Sequence, residues 1–243
     1  MAEYDKIAKV YDDVEDKRIC RKYGYDYTLL KVLGDLGGKK VLDLACGSGY
    51  FTRQIKLAGA EEVVGIDISE GMIKVAEESE KESPLGIRYL VGDVIDLGKI
   101  KEFDVVCGSF LLHYSKTKED LSKMCKNAYK NLRNGEKFVT INNNPEHPLT
   151  EGVKYGSTVR ADLPLKEGDE LTVTLFVDGG ESISFLNYHW KKETYEEALR
   201  NAGFKDIKWH SLEVSKEGVE KYGAEFWEDY IKDPYLSVIV AVK

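Results

Sequence analysis

Three acids stand where short apolar runs give out: Asp43 in "VLDLACGSGYF", Asp67 in "VVGIDIS" and Asp93 in "YLVGDV". The first is followed by a small-residue turn carrying Gly47 and Gly49. Two glycines in such a turn suggest a nucleotide cradle, in which a helix N-terminus approaches a pyrophosphate. The third glycine of the dinucleotide pattern is missing, since Tyr50, Phe51 and Thr52 follow Gly49. A carboxylate beside phosphates would cost on the order of a kcal/mol or more at the effective dielectric of a protein. Asp43 therefore suits a ligand that has no phosphate and carries positive charge. An acid ending the second run can accept both hydroxyls of a ribose, and one ending the third can accept from an adenine amino group. S-adenosylmethionine, with an α-ammonium and a sulfonium, is such a ligand. Asp43 would help hold its ammonium, directly or through water.

Placing these acids requires strands that end at a common edge. From residue 39 onward, short apolar runs alternate with amphipathic segments, which predicts strands and helices in turn. "KKVLDLA", "EVVGIDI", "IRYLVGDV", "FDVVCGSFLL" and "EKFVTINNN" are the strand runs. "YFTRQIKLAGA", "SEGMIKVAEESEKE" and "KEDLSKMCKNAYKNL" are the helices, the second starting at Ser69 or Glu70 and the third closed by Asn134 and Gly135. This alternation predicts a parallel sheet covered on both faces, with its ligand crevice beyond the carboxyl ends of the strands. Before residue 38 the spacing of Ile7, Val10, Tyr11 and Val14, and then of "YDYTLLKVLGDLG", predicts helix up to Gly37–Gly38. After Asn144 the rhythm breaks into a loop-like stretch, "PEHPLTEGVKYGSTVRADLPLKEGD". A β-hairpin follows, "ELTVTLFV" and "ESISFLNYHW" around Asp178–Gly179–Gly180. The helix "KKETYEEALRNAGF" and the closing strands "KDIKWHSLEV" and "YLSVIVAVK" complete the chain.

The chain of 243 residues is 42% hydrophobic, enough for one large domain. A single domain is expected: a helical segment over 1–37, a cofactor-binding half over 38–144, an acceptor-side insertion over 145–190 and closing elements over 191–243. With 35 Lys+Arg against 43 Asp+Glu the net charge is −8, and the lysine runs are mixed with acids. That balance argues against a nucleic-acid partner. The four cysteines are scattered without a C-x-x-C pair, so neither a zinc site nor a disulfide framework is expected. No window approaches the ~18 uninterrupted apolar residues of a membrane span. A reduced, cytoplasmic location is the expectation.

The runs "VLDLACGSGYFT", "VVGIDIS-EGMI", "YLVGDV" and "FDVVCGSFLLHY" resemble the successive motifs of class I S-adenosylmethionine-dependent methyltransferases. Within that family the chain is similar to small-molecule methyltransferases of the toxoflavin-biosynthesis type, through "YDKIAKVYDD", "NNNP" and the insertion ending in "NYHW". The resemblance implies a Rossmann-like, seven-stranded, mostly parallel sheet with helices on both faces and a reversed final hairpin. It also implies an N-terminal helical lid and a β-hairpin insertion after strand five. It puts Asp43, Ala45, Gly47 and Gly49 in the methionyl-side loop, although the family loop often has glycine where this chain has Ala45. It makes Asp67 the ribose clamp with Ile68 and Met72 around it, Asp93 and Val94 the adenine contacts, and Phe110 a flank of the cofactor. Tyr4 and Tyr11 fall on the lid, Tyr11 toward the cofactor and Tyr4 toward the acceptor.

Methyl transfer needs in-line positioning and desolvation, and a base only where the nucleophile must lose a proton. His113 and Tyr114 follow strand four at the crevice mouth. His113 is either a base, with an ordinary pKa near ~6.5, or a wall group that orients the acceptor. Asn142, Tyr155, Arg160, Tyr188, His189 and Trp190 are further candidates for the acceptor wall, although strand alternation turns only some of them inward. The 15 tyrosines and 3 tryptophans suit a flat heteroaromatic acceptor. The expected activity is methyl transfer to a nitrogen or oxygen of a small molecule, with no metal. An RNA or protein methyltransferase, an NAD-dependent oxidoreductase and a non-catalytic cofactor-binding module are the alternatives. The sequence sets no oligomeric state.

Overall fold

The computed structural model describes Asp5, Ala8, Tyr11 and residues 18–150, 153–176 and 182–243. Most of the expected N-terminal helix, including Tyr4, and the expected hairpin turn at 178–180 lie outside these residues.

Five strands run parallel in the main sheet: β1 (Lys40–Leu44), β2 (Glu62–Asp67), β3 (Arg88–Val91), β4 (Phe103–Ser109) and β5 (Leu132–Asn143). The last strand, β10 (Leu236–Val242), lies antiparallel between β5 and β9 (Lys205–His210). The order is β3-β2-β1-β4-β5-β10-β9, the seven-stranded sheet with a reversed final hairpin. Its winding reverses between β1 and β4, so a crevice opens beyond the carboxyl ends of those two strands.

Alternation along β1 sends successive side chains to opposite faces. Val41 joins one apolar layer with Ile55 of α2 (Tyr50–Leu57), Ile73 of α3 (Glu70–Glu82) and Leu29 of α1 (Asp26–Leu33). Leu42 joins the other with Leu121 of α4 (Lys118–Lys130) and Leu199 of α5 (Lys192–Ala202). Ser69 caps α3 by accepting from Met72 N at 3.1 Å, and Thr117 caps α4 in the same way. The N-terminal segment reaches this region: Asp5 accepts from the Ser69 hydroxyl at 2.7 Å and from Gly71 N at 3.2 Å.

Five elements depart from the expected reading. Helix α1 stops at Leu33, because Gly34 takes φ +70°. Helix α4 stops at Lys130 and the chain joins β5 from Leu132, so Asn134 and Gly135 belong to the strand's irregular start. The stretch expected as loop holds a short strand, β6 (Ser157–Arg160), paired with β7 (Glu170–Phe176). Four residues are too few for alternation to announce a strand; pairing makes it one. Between β9 and β10 stand two helices, α6 (Lys216–Tyr222) and α7 (Ala224–Lys232), for which no expectation was made. Trp227 and Tyr230 of α7 are buried three positions apart, a helical spacing present in "FWEDYI".

Strands β6, β7 and β8 (Ser182–Tyr188) form a second, antiparallel sheet. Its apolar face carries Val159, Leu171, Val173, Leu175 and Phe185, with Tyr11 and Tyr114 packed against it. Just past β8, Trp190 donates to Ser115 O at 3.0 Å, tying this sheet to the loop after β4.

Candidate active site

The turn from β1 into α2 is built on three left-handed residues: Ala45 (φ 58°), Gly47 (φ 55°) and Gly49 (φ 82°). Ala45 carries a Cβ where glycine would be relaxed, which costs on the order of 1–2 kcal/mol. Cys46 N donates to Ile66 O at 2.9 Å and holds the turn against β2. At Gly49 a Cβ would lie 2.5 Å from the Tyr89 hydroxyl, so this glycine serves close packing at the start of α2. A cavity of about 440 Å³ opens above the turn. Asp43, Ala45, Gly47, Asp67, Ile68, Met72, Asp93, Val94 and Phe110 all line it, and Tyr11 and Tyr114 close its far side. Gly49 stands one step behind the wall.

The three acids meet in this cavity in different states. Asp43 is fully buried, accepting from the Thr52 hydroxyl at 2.6 Å and from Cys107 Sγ at 3.4 Å. Burial pushes its carboxyl up to about 6, which the two hydrogen bonds only partly oppose. Asp67 accepts from Gly47 N at 2.8 Å and Ser69 N at 2.9 Å, one through each carboxylate oxygen. It too is raised by burial, against the pull of those amides. Asp93 accepts from Ile95 N at 2.8 Å. The same wall holds Arg21, Tyr25 and Asp26, which sequence reasoning missed. Arg21 Nε lies 3.3 Å from Asp26 Oδ2, and its guanidinium sits 3.8 Å from the centre of the Tyr50 ring. The arginine precedes the first strand by some twenty residues, and only packing brings it to the turn.

A second, smaller cavity of about 40 Å³ lies between the two sheets. Tyr11, Tyr25, Phe110 and Tyr114 line both cavities and so form the partition between them. Phe110, at φ 60°, packs edge-on to Tyr25 at 5.3 Å and stacks on His113 at 5.9 Å. His113 lines the smaller cavity, fully buried. Its Nδ1 accepts from Asn143 N at 3.1 Å, so the proton of the neutral ring sits on Nε2. Burial holds its pKa down to about 3. Neither nitrogen then offers a lone pair for a base. The ring is a hydrogen-bond donor.

The other expected wall residues stand elsewhere. Asn142 turns to the opposite face from Asn143, where Oδ1 accepts from Leu112 N at 2.8 Å and His113 N at 3.3 Å. It holds the loop that presents His113. Tyr155 stacks on Trp227 at 6.1 Å and donates to Phe226 O at 2.7 Å, within the aromatic cluster around α7. Arg160 is exposed at the end of β6, and Tyr188 packs away from both cavities with its hydroxyl 3.5 Å from Glu170. Trp190 is committed to Ser115, and His189 lines neither cavity. Asn143 and Asn187, which sequence reasoning missed, line the smaller cavity instead. Among the described residues no group of three His, Cys, Asp or Glu could hold a metal ion, and no helix is long and apolar enough to cross a membrane.

Residues 41–135 match a family described as a methyltransferase domain. The chain is 25% identical over 170 residues to the N-demethylindolmycin N-methyltransferase of Streptomyces griseus, covering 69% of this chain and 70% of that protein. It is 34% identical over 116 residues to the ubiquinone biosynthesis O-methyltransferase of Pseudomonas putida. That match covers 46% of this chain and 48% of the relative, so the chain spans about half of its length. The crystal structure of an S-adenosylmethionine-dependent methyltransferase from Mesorhizobium loti superposes with a TM-score of 0.65 at 21% identity. That superposition covers 94% of this chain and 100% of the other, a likeness of fold.

Proposed function

For a chain that is an S-adenosylmethionine-dependent methyltransferase of the class I fold, we propose transfer of the methyl group to a nitrogen or oxygen of a small molecule. The observation that carries this reading is the pairing of two cavities across one aromatic partition. The larger has a volume within the range of small-ligand sites and the donor set for the cofactor. Three carboxylates face it at the ends of successive strands, buried Asp43 has no cationic side chain on it among the described residues, and a Cβ at Gly47 would meet nothing within 4 Å. These features fit a phosphate-free cationic nucleoside.

In this reading Asp67 accepts from the ribose hydroxyls through the lone pairs its two amide contacts leave, and Asp93 accepts from the adenine amino group. Asp43 offsets the positive charge of the methionyl part, and Arg21 faces its carboxylate. Ile68, Met72 and Val94 cover the apolar surfaces. When bound, S-adenosylmethionine supplies a methyl group already activated by its sulfonium. Phe110, Tyr11 and Tyr114 exclude water from the gap between the cavities and align the acceptor. That positioning supplies much of the rate in a displacement of this type. A nucleophile that must lose its proton releases it to solvent, since His113 is committed as a donor.

The second sheet walls one side of the smaller cavity, and a space of about 40 Å³ favours a compact acceptor. The test is methyl transfer from labelled S-adenosylmethionine to a panel of heteroaromatic amines, lactams, phenols and carboxylic acids, run beside tRNA and protein substrates. Labelling of the macromolecules alone would overturn the reading.

A further inference from the structure

The first turn of α3 is capped twice. A helix leaves its first amides without partners, and its positive end attracts a carboxylate. Ser69 Oγ takes Met72 N at 3.1 Å from within the turn. Asp5, far earlier in the chain, accepts from the Ser69 hydroxyl at 2.7 Å and from Gly71 N at 3.2 Å, both through Oδ1. Gly71 explains how so distant a piece of chain comes this near. A Cβ there would lie 2.8 Å from Asp5 O and 3.0 Å from Asp5 Cα, both backbone atoms. Glycine is a poorer helix former than alanine, so its place in the first turn of α3 answers to the backbone lying on it.

From this contact we infer that Asp5 is a positioning residue for the cofactor, and that Asp5 and Gly71 form a catch whose opening limits the release of S-adenosylhomocysteine. Ser69, fully buried, is shared between two carboxylates. Its N donates to Asp67 Oδ1 at 2.9 Å and its hydroxyl donates to Asp5. The placement of Asp5 is therefore passed to the acid assigned above to the ribose. Met72, whose N is held by the Ser69 hydroxyl, lines the same cavity. Further along the N-terminal segment, Tyr11 also lines that cavity and sets its ring edge-on to Phe185 at 6.1 Å. Asp5 thus holds to α3 on the ribose side, and Tyr11 holds to the second sheet at the partition. Loss of the Asp5 contact loosens both, Asp67 through Ser69 and Tyr11 through the chain, so bound S-adenosylhomocysteine leaves faster. The inference rests on the cofactor reading of the larger cavity and is independent of the acceptor.

The test follows dissociation of S-adenosylhomocysteine from the full chain by surface plasmon resonance. Asp5→Ala should speed it roughly 20-fold or more, the fold-change carried by hydrogen bonds to a charged group. Asp5→Asn keeps an oxygen for Ser69 and Gly71 and should stay within about five-fold of the wild type. Gly71→Ala separates a catch from a mere helix cap, because alanine strengthens α3 while displacing the Asp5 backbone. It should release S-adenosylhomocysteine as fast as Asp5→Ala does, and the double variant should be no faster than the faster single one. Release at the wild-type rate by Asp5→Ala overturns the inference, as does an asparagine variant no slower than the alanine one. So does wild-type release by Gly71→Ala, which would leave Asp5 a helix cap alone, or effects that multiply in the double variant. Should Asp5→Ala not fold, the Gly71→Ala rate decides by itself. Each of these outcomes leaves the methyltransferase reading standing. Failure of the wild-type chain to bind S-adenosylhomocysteine would overturn that reading and this inference together.

Discussion

Replacing Asp43 by asparagine should make the protein more stable and its cofactor affinity poorer in the same stroke. The side chain is fully buried, and its carboxyl is raised from 3.8 to about 6 by that burial. A raised folded pKa means that the folded chain holds this proton more tightly than the unfolded one. The cost of the ionised form is therefore complete above pH 6 and is relieved as the pH falls toward 4. At ~1.4 kcal/mol per pKa unit the full cost is about 3 kcal/mol. Asparagine keeps an oxygen to accept from the Thr52 hydroxyl, now at 2.6 Å from the carboxylate, but turns an N–H toward Cys107 Sγ. That weaker contact lowers the expected gain to about 1–2 kcal/mol at pH 8.

For a chain of this length a gain of that size raises the melting temperature by roughly 3–6 °C. Scanning calorimetry of both proteins at pH 8 and pH 4.5 checks this, because the difference should close at the lower pH. Calorimetric titration with S-adenosylhomocysteine should show weaker binding by Asp43→Asn at pH 8. A variant that melts below the wild type at pH 8, or a gap that does not depend on pH, would refute the reasoning about buried charge. Equal affinity would refute the role of Asp43 as counter-charge.

His113 should act on stability in the opposite sense: a histidine lowered to about 3 stays neutral in the fold while the unfolded chain protonates. Stability is thus lost below pH 6.5, by about 2 kcal/mol at pH 5, and His113→Gln should flatten that acid limb in melting experiments. Asp67→Asn should weaken S-adenosylhomocysteine roughly 10-fold or more, the worth of charge-assisted hydrogen bonds, measured by calorimetry. Asparagine can accept from only one of Gly47 N and Ser69 N, so melting of the variant is measured alongside to separate lost cofactor contacts from a disturbed turn. Ala45→Gly should relieve the left-handed backbone at φ 58° and raise stability by up to about 1 kcal/mol with affinity unchanged. A lower melting temperature for that variant would show that the alanine methyl packs favourably.

The meeting of the three acids in the larger cavity was legible because each follows an apolar run of its own. Asp43, Asp67 and Asp93 need only strands that are parallel and neighbouring to be brought together, and strand–helix alternation dictates both. Arg21 and Tyr25 were not legible for the complementary reason. They precede the first strand, and their place on the cavity wall depends on how α1 and the segment before it pack on the sheet. The closing helices α6 and α7 were readable from the spacing of Val219, Tyr222, Trp227 and Tyr230, which ordinary helical periodicity covers.

Around the smaller cavity, two of the misplacements are the same error of parity. Asn142 was expected in the wall where Asn143 stands, and Tyr188 where Asn187 stands. A shift of one residue along a strand moves a side chain to the other face. Parity was recoverable in both cases from an apolar neighbour two positions away. Ile141 belongs to the layer on the α1 side of the sheet, and Asn143 shares its face. Phe185 belongs to the core of the second sheet, and Asn187 shares its face. What no pattern within one strand could supply is the meeting of these faces. His113, Asn143 and Asn187 come from the loop after β4, the end of β5 and the end of β8. The contact between the two sheets makes one site of them. A polar residue continuing the apolar face of a strand at its carboxyl end is thus the sign to seek, and here two such asparagines converge on one histidine.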